Sequence, residues 1–160
     1  MPYPELMTLP MREELTRIGF TELRTPEAVD RAVEEAQEPM LLFVNSVCGC
    51  AAGVARPGVA LSLTHPNAPK KLATVFAGLD IDATARARSF FEPHPPSSPQ
   101  AAILGPGGKL LFLLQRHEIE GRTPEQIAAA LAAAYEKLPE AVSPGDLETR
   151  KNRGQVFITH

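Results

Sequence analysis

Two short runs stand apart along this chain, the unbroken apolar Met40-Leu41-Leu42-Phe43-Val44 and Leu72-Ala73-Thr74-Val75-Phe76-Ala77-Gly78, which reads as a second buried strand. A run of this length with no polar alternation suits a strand covered on both faces rather than one with a wet side. Val54 to Leu63 lies between them, rich in helix-forming residues but interrupted by Pro57 and Gly58, which predicts a kinked helix. Strand, helix, strand is a right-handed parallel unit. The chain is therefore expected to be α/β, with a sheet sandwiched between helices.

The flanking patterns extend this layout. Met11, Leu15 and Ile18 recur at helical spacing between Pro10 and Gly19, where a glycine suits the C-cap. Thr25-Pro26 reads as an N-cap with proline in the first turn, and Val29, Val33 and Ala36 line one face of a helix to about Gln37. A further helix is predicted from Asp82 to Phe91. After the proline-rich Glu92-Pro93-His94-Pro95-Pro96-Ser97-Ser98-Pro99, the runs Gln100 to Leu104 and Leu110 to Leu114 are joined by Gly105-Pro106-Gly107-Gly108, as in a β-hairpin. Thr123-Pro124-Glu125-Gln126 opens an alanine-rich helix through Leu138, with Ile127, Leu131 and Tyr135 in register. The result is a mixed central sheet of about four strands, flanked by helices, with an N-terminal helical extension. One domain is expected over 1–138. Residues 139–160 form a C-terminal extension, in which Arg150-Lys151-Asn152-Arg153 reads as a solvated face and Val156-Phe157-Ile158 as a small apolar patch.

Charge and composition remove several classes of function. The 160 residues include 16 basic and 19 acidic ones, a formal charge of -3 that offers no reservoir for neutralising phosphates, so no nucleic-acid partner is expected. No segment approaches the ~20 apolar residues that span a bilayer. Glu5, Glu13 and Glu14 in the first twenty residues are unlike a secretory signal. A cytoplasmic location follows as the expectation. The only two cysteines, Cys48 and Cys50, are too close to staple distant parts of a fold, and in a reducing compartment such a pair is more often catalytic or metal-binding than structural.

Cys48-Gly49-Cys50 falls where the first apolar strand feeds a helix, the junction at which α/β sheets bind ligands. A thiol there meets the positive end of the helix dipole and unpaired amides, both of which favour thiolate. The sulfurs could also close a very small disulfide ring, and Gly49 best accommodates the torsions that such a ring demands. Two other readings stay open: cysteines acting as small buried hydrophobes, and a copper- or zinc-binding pair completed by His65, His94 or His117. A second signal is Ser98-Pro99. A proline just before a strand in an α/β redox protein often follows a cis bond that sets the preceding backbone beside the reactive sulfur, although an ordinary turn proline also fits this proline-rich stretch.

The order of elements resembles the thioredoxin fold, and the chain more specifically resembles the bacilliredoxin family. The resemblance is carried by Pro10-Met11-Arg12, Glu14-Leu15 and Gly19-Phe20, by Val44-Asn45-Ser46-Val47-Cys48-Gly49-Cys50-Ala51-Ala52-Gly53 with Ala55-Arg56-Pro57, and by Val75-Phe76-Ala77-Gly78, Pro96-Ser97-Ser98-Pro99 and Arg116-His117-Glu118-Ile119-Glu120-Gly121. It implies a thiol-disulfide oxidoreductase that removes the low-molecular-weight thiol bacillithiol from mixed disulfides on client proteins, with disulfide isomerisation as a weaker activity. Cys48 would be the nucleophile and Cys50 the resolving thiol, with Gly49 between them, and Ser98, Pro99, Asn45 and Ser46 would meet the substrate. Bacillithiol or another small thiol serves as co-substrate and reductant, with no bound cofactor. The competing classes are a Cys-x-Cys metal carrier and a non-catalytic interaction module on the same fold.

Overall fold

All six residues of β2, Met40–Asn45, are buried, as an apolar run without alternation requires. The computed structural model describes residues 4–138. In it β2 is the central strand of a five-stranded sheet ordered β1-β3-β2-β4-β5. It runs parallel to β3 (Lys71–Phe76), which pairs in parallel with β1 (Thr21–Glu22), and antiparallel to β4 (Gln100–Leu104), which forms a hairpin with β5 (Leu110–Leu114). The sheet thus has one strand more than expected. At two residues, β1 is too short to leave a periodic signal.

Successive β2 side chains feed two cores. Leu41 and Phe43 pack with Ile103, Ile127, Leu131 and Tyr135 on one face, beneath α1 (Glu5–Thr16), α3 (Arg56–Ser62) and α6 (Pro124–Glu136). Met40, Leu42 and Val44 pack with Val29, Val33, Val75 and Phe91 on the other, beneath α2 (Pro26–Glu35) and α4 (Ile81–Ser89). The layers on both faces are those expected.

The differences lie at the ends of elements. Helix α1 begins at Glu5 and carries Pro10 inside it rather than starting there. Asp80 precedes α4 without capping it, because its carboxylate is taken by Arg12 and Arg24. The predicted kink at Pro57-Gly58 is realised earlier, as a π-helical turn over Ala51–Ala55 that runs into α3. Pro57 has no N–H to give the Gly53 carbonyl, and one residue earlier the Arg56 amide donates to the Ala51 carbonyl five residues back instead of to Ala52, widening the turn. Helix α6 starts as predicted, with Thr123 and Gln126 making a reciprocal capping box. Between β5 and α6 the chain adds a short helix, α5 (Arg116–Ile119), capped by Gln115 and Glu118, which the sequence reading did not anticipate. The expected extension 139–160 lies outside the described residues. Among those residues no helix is long and apolar enough to cross a membrane.

Candidate active site

The carboxyl end of β2 hands the chain to Ser46 and Val47 and then directly to the cysteines, so the thiols stand above the centre of the sheet. Cys48 and Cys50 are both free and half-buried, with their Sγ atoms 3.5 Å apart. That separation is a hydrogen-bonded dithiol, well beyond the roughly 2.05 Å of a disulfide bond. Gly49 between them is exposed, and a Cβ there would meet no heavy atom within 4 Å. The Ala51 and Ala52 amides both donate to the Cys48 carbonyl, which ties this residue to the opening turn of the helix.

The two thiols are electrostatically unlike. Burial pushes Cys48 up, but the Ser46 hydroxyl, the Ala51 amide, the Cys50 thiol and the charge of Arg116 together hold it below the ordinary cysteine value. Cys50 moves the opposite way, raised by burial, by its hydrogen bond to Cys48 and by the charge on Cys48, with Glu120 adding to the effect. A proton shared by this pair therefore rests on Cys50 and leaves Cys48 as the thiolate.

Several buried polar groups hold the loop in place. Asn45 is 1% exposed and engaged at both ends of its amide: Nδ2 donates to the Met11 carbonyl, and Oδ1 accepts from the Ser46 amide and from Arg56 Nη1. Arg56, also buried, donates through the same nitrogen to the Ser46 carbonyl and through Nε to Glu14 at 2.6 Å. The Ser46 hydroxyl accepts from the Cys48 amide at 3.0 Å. Asn45 and Ser46 were expected at the substrate, but the structure turns both inward, where they shape the turn that presents Cys48. Arg56 and Glu14 complete that support. Both lay within the residues that carried the family resemblance, but their pairing across 42 positions of sequence was not legible.

The other side of the site is built by the segment before β4. Ser98-Pro99 is cis, with Ser98 half-buried and Pro99 buried, and a second cis bond lies at Glu92-Pro93. Ser97 is held through its hydroxyl by Gln115 and through its carbonyl by Arg88, while Gln115 also accepts from the buried Gln100. This network couples the proline segment to α5, whose first residue, Arg116, holds the Glu120 carboxylate that approaches Cys50. Arg116 donates through Nη1 to the Ser98 carbonyl at 3.4 Å and through Nε to Glu120 Oε1 at 2.6 Å, and that same oxygen lies 4.0 Å from Cys50 Sγ. Arg116 and Glu120 were not singled out as site residues. The available signal was their four-residue spacing in a motif that nothing else in the chain explained.

His117 and His94 are exposed, and His65 lies 3.6 Å from Glu136, away from the thiols. Among the described residues no group of three or more His, Cys, Asp or Glu side chains is gathered as a metal site. A cavity of about 970 Å³ lies at the opposite end of the sheet, lined at the starts of β2 and β3 by Pro39, Lys70 and Lys71, and none of the site residues borders it.

A mixed open sheet with a dithiol at the end of its central strand and a cis-proline segment before the adjacent antiparallel strand defines a protein of the thioredoxin-fold class. A solved structure described by its thioredoxin fold matches with a TM-score of 0.56 at 16% identity, covering 71% of this chain and 90% of that one. Residues 3–138 match the family model described as disulphide isomerase. A bacilliredoxin of Koribacter versatilis is 50% identical over 135 residues, covering 84% of this chain and 92% of the relative. One of Cytophaga hutchinsonii is 48% identical over 136 residues, covering 85% and 99%. The chain belongs to the bacilliredoxin family, a family of thiol-disulfide oxidoreductases.

Proposed function

We propose that this protein removes bacillithiol from mixed disulfides on client proteins in the cytoplasm, with Cys48 as nucleophile and Cys50 as resolving thiol. The observation that carries the reading is the opposed acidity of two thiols 3.5 Å apart, Cys48 lowered and Cys50 raised. The names of the relatives supply the choice of small thiol.

Only the thiolate attacks a disulfide, so the more acidic cysteine starts the exchange. Cys48 Sγ bonds to the bacillithiol sulfur, the protein-to-bacillithiol bond breaks, and its electron pair leaves with the client's sulfur, which takes a proton from water. Cys50, its proton withdrawn, can then attack Cys48 Sγ, closing the internal disulfide and expelling bacillithiol. Alternatively, a second bacillithiol thiolate attacks the sulfur of the bound bacillithiol, the bond to Cys48 Sγ breaks with its electron pair going to Cys48, and the bacillithiol disulfide departs, returning the dithiol directly. In this reading an extended client segment pairs with the Ser98 backbone as an added strand. Slower isomerisation of protein disulfides uses the same first attack.

The experiment is release of bacillithiol from a model mixed disulfide. Cys48→Ala is expected to abolish release, whereas Cys50→Ala keeps a first turnover and accumulates bacillithiol on Cys48, visible as an intact-mass adduct. Equal loss in both variants would remove the assignment of roles.

A further inference from the structure

Arg116 stands in an unusual position for an exposed arginine. Its charge acts on both cysteines, and its guanidinium bridges the Ser98 carbonyl to Glu120 beside Cys50. Its side chain is 45% exposed. A guanidinium offers five N–H donors. Here Nε is committed to Glu120, Nη1 makes only a long contact, and Nη2 has no hydrogen-bond partner among the described residues. The pinned Nε fixes the plane of the group while leaving its outer edge open. A planar fork with a free edge matches a carboxylate in a way that a lone ammonium does not. The link to the reacting sulfur runs through Glu120 Oε1, 2.6 Å from Arg116 Nε and 4.0 Å from Cys50 Sγ, which is itself 3.5 Å from Cys48 Sγ.

We propose that Arg116 is a specificity residue that selects mixed disulfides whose small-thiol half carries a carboxylate, and so directs which sulfur of the substrate Cys48 attacks. The inference rests on the thiol-exchange reading above and adds the charge of the ligand to it. With the carboxylate held at the open edge, the sulfur of the small thiol, rather than that of the client, lies over Cys48. The bond formed is Cys48 Sγ to the small thiol's sulfur. The bond broken is the substrate disulfide, and the client leaves as thiolate and is protonated by water. Glu120 contributes by orienting the guanidinium, and the contest between its carboxylate and that of the ligand keeps binding weak enough for release.

The test uses the full-length reduced protein and three mixed disulfides of one neutral peptide thiol, made with mercaptosuccinate, mercaptoethanol and cysteamine. Stopped-flow rates give the order of preference, and intact mass of the Cys50→Ala protein, in which the adduct is not resolved internally, shows which half remains on Cys48. Wild type is expected to react in the order anionic, neutral, cationic, and the Cys50→Ala protein to retain the small thiol. Arg116→Gln is expected to lower the anionic-to-neutral rate ratio by about fivefold, the upper end of what an exposed ion pair supplies. Arg116→Lys should recover part of the ratio, and 1 M salt should shrink it in wild type. Because the ratio is taken at one pH, any effect of Arg116 on the Cys48 thiolate cancels from it. The inference is overturned if wild type treats the three alike, if Arg116→Gln keeps the wild-type ratio, or if it slows all three equally. Failure of every disulfide to react would refute the exchange reading itself and this inference with it. Normal reaction of the neutral disulfide without a charge preference would refute the inference alone.

Discussion

At the scale of single residues the site is organised by the sharing of one proton between two sulfurs. Cys48 is served by several groups that favour its charge, the Ser46 hydroxyl, the Ala51 amide and Arg116, while Cys50 is left beside Glu120. The sign of the pH effect follows. As pH rises, Cys48 ionises first, below the ordinary cysteine value, and its charge then delays Cys50. Site-resolved alkylation with iodoacetamide is expected to show Cys48 modified with a midpoint below that of an ordinary cysteine and Cys50 with one above it. Arg116→Gln should move the Cys48 midpoint upward, since it removes a cation that favours the thiolate. Cys50 reacting ahead of Cys48 would contradict the structure. Gly49 needs no special backbone in this reduced state, since it has no positive φ and nothing crowds its Cβ position. Its freedom matters only when the ring closes.

At the scale of elements, the helix behind the cysteines is fixed by how closely α3 and α6 approach. Gly58 sits on Ile127, where an added Cβ would fall 2.7 Å from Ile127 Cβ and 3.0 Å from the Pro124 carbonyl oxygen. The second contact is backbone, so the helices cannot yield by a rotamer change alone. Gly58→Ala is expected to lower stability in urea denaturation by about 1–3 kcal/mol, the usual range for overpacking. That outcome would be unusual for a helical position, where alanine ordinarily outranks glycine by about 1 kcal/mol. A stabilised Gly58→Ala variant would show that the close approach is not maintained. The short α5 is the other decisive element. Its capping box between Gln115 and Glu118 sets the direction in which Arg116 leaves the chain, and Gln115 is also the acceptor that holds Ser97.

At the scale of the whole molecule, α6 is tied to α3 by a buried polar contact, Tyr135 to Ser62 at 2.8 Å, inside an otherwise apolar core. Burial pushes the Tyr135 phenol up to about 12, from an ordinary 10.0. In the unfolded chain the phenol ionises near its ordinary value, so between about pH 10 and 12 the folded state holds the extra proton, and stability must fall as pH rises through this window. Below it the contribution is complete. Urea midpoints measured at pH 9 and pH 11 are expected to differ more for wild type than for Tyr135→Phe, which has no proton to lose there. An equal alkaline slope in the two proteins would place the titrating group elsewhere.

The sequence by itself determined the layers and the chemistry. An unbroken apolar run at β2 and a mainly apolar one at β3 required buried strands, Thr123-Pro124-Glu125-Gln126 required the start of α6, and Cys48-Gly49-Cys50 after a central strand required thiols at the carboxyl edge of a sheet. These are local properties, set by side-chain polarity, capping and position along the chain. Tertiary structure alone decided that Asn45 faces inward to Arg56 and Met11, that Arg56 reaches Glu14, and that Arg116 arrives beside sulfurs almost seventy residues earlier in the chain. Such contacts have no period and no fixed spacing, because a long polar side chain finds its partner through the packing of separate elements. The division between the two cysteines is set first by burial and by near neighbours, the Ser46 hydroxyl, the Ala51 amide and the partner thiol, and only the added charges of Arg116 and Glu120 had to wait for the fold to bring them in.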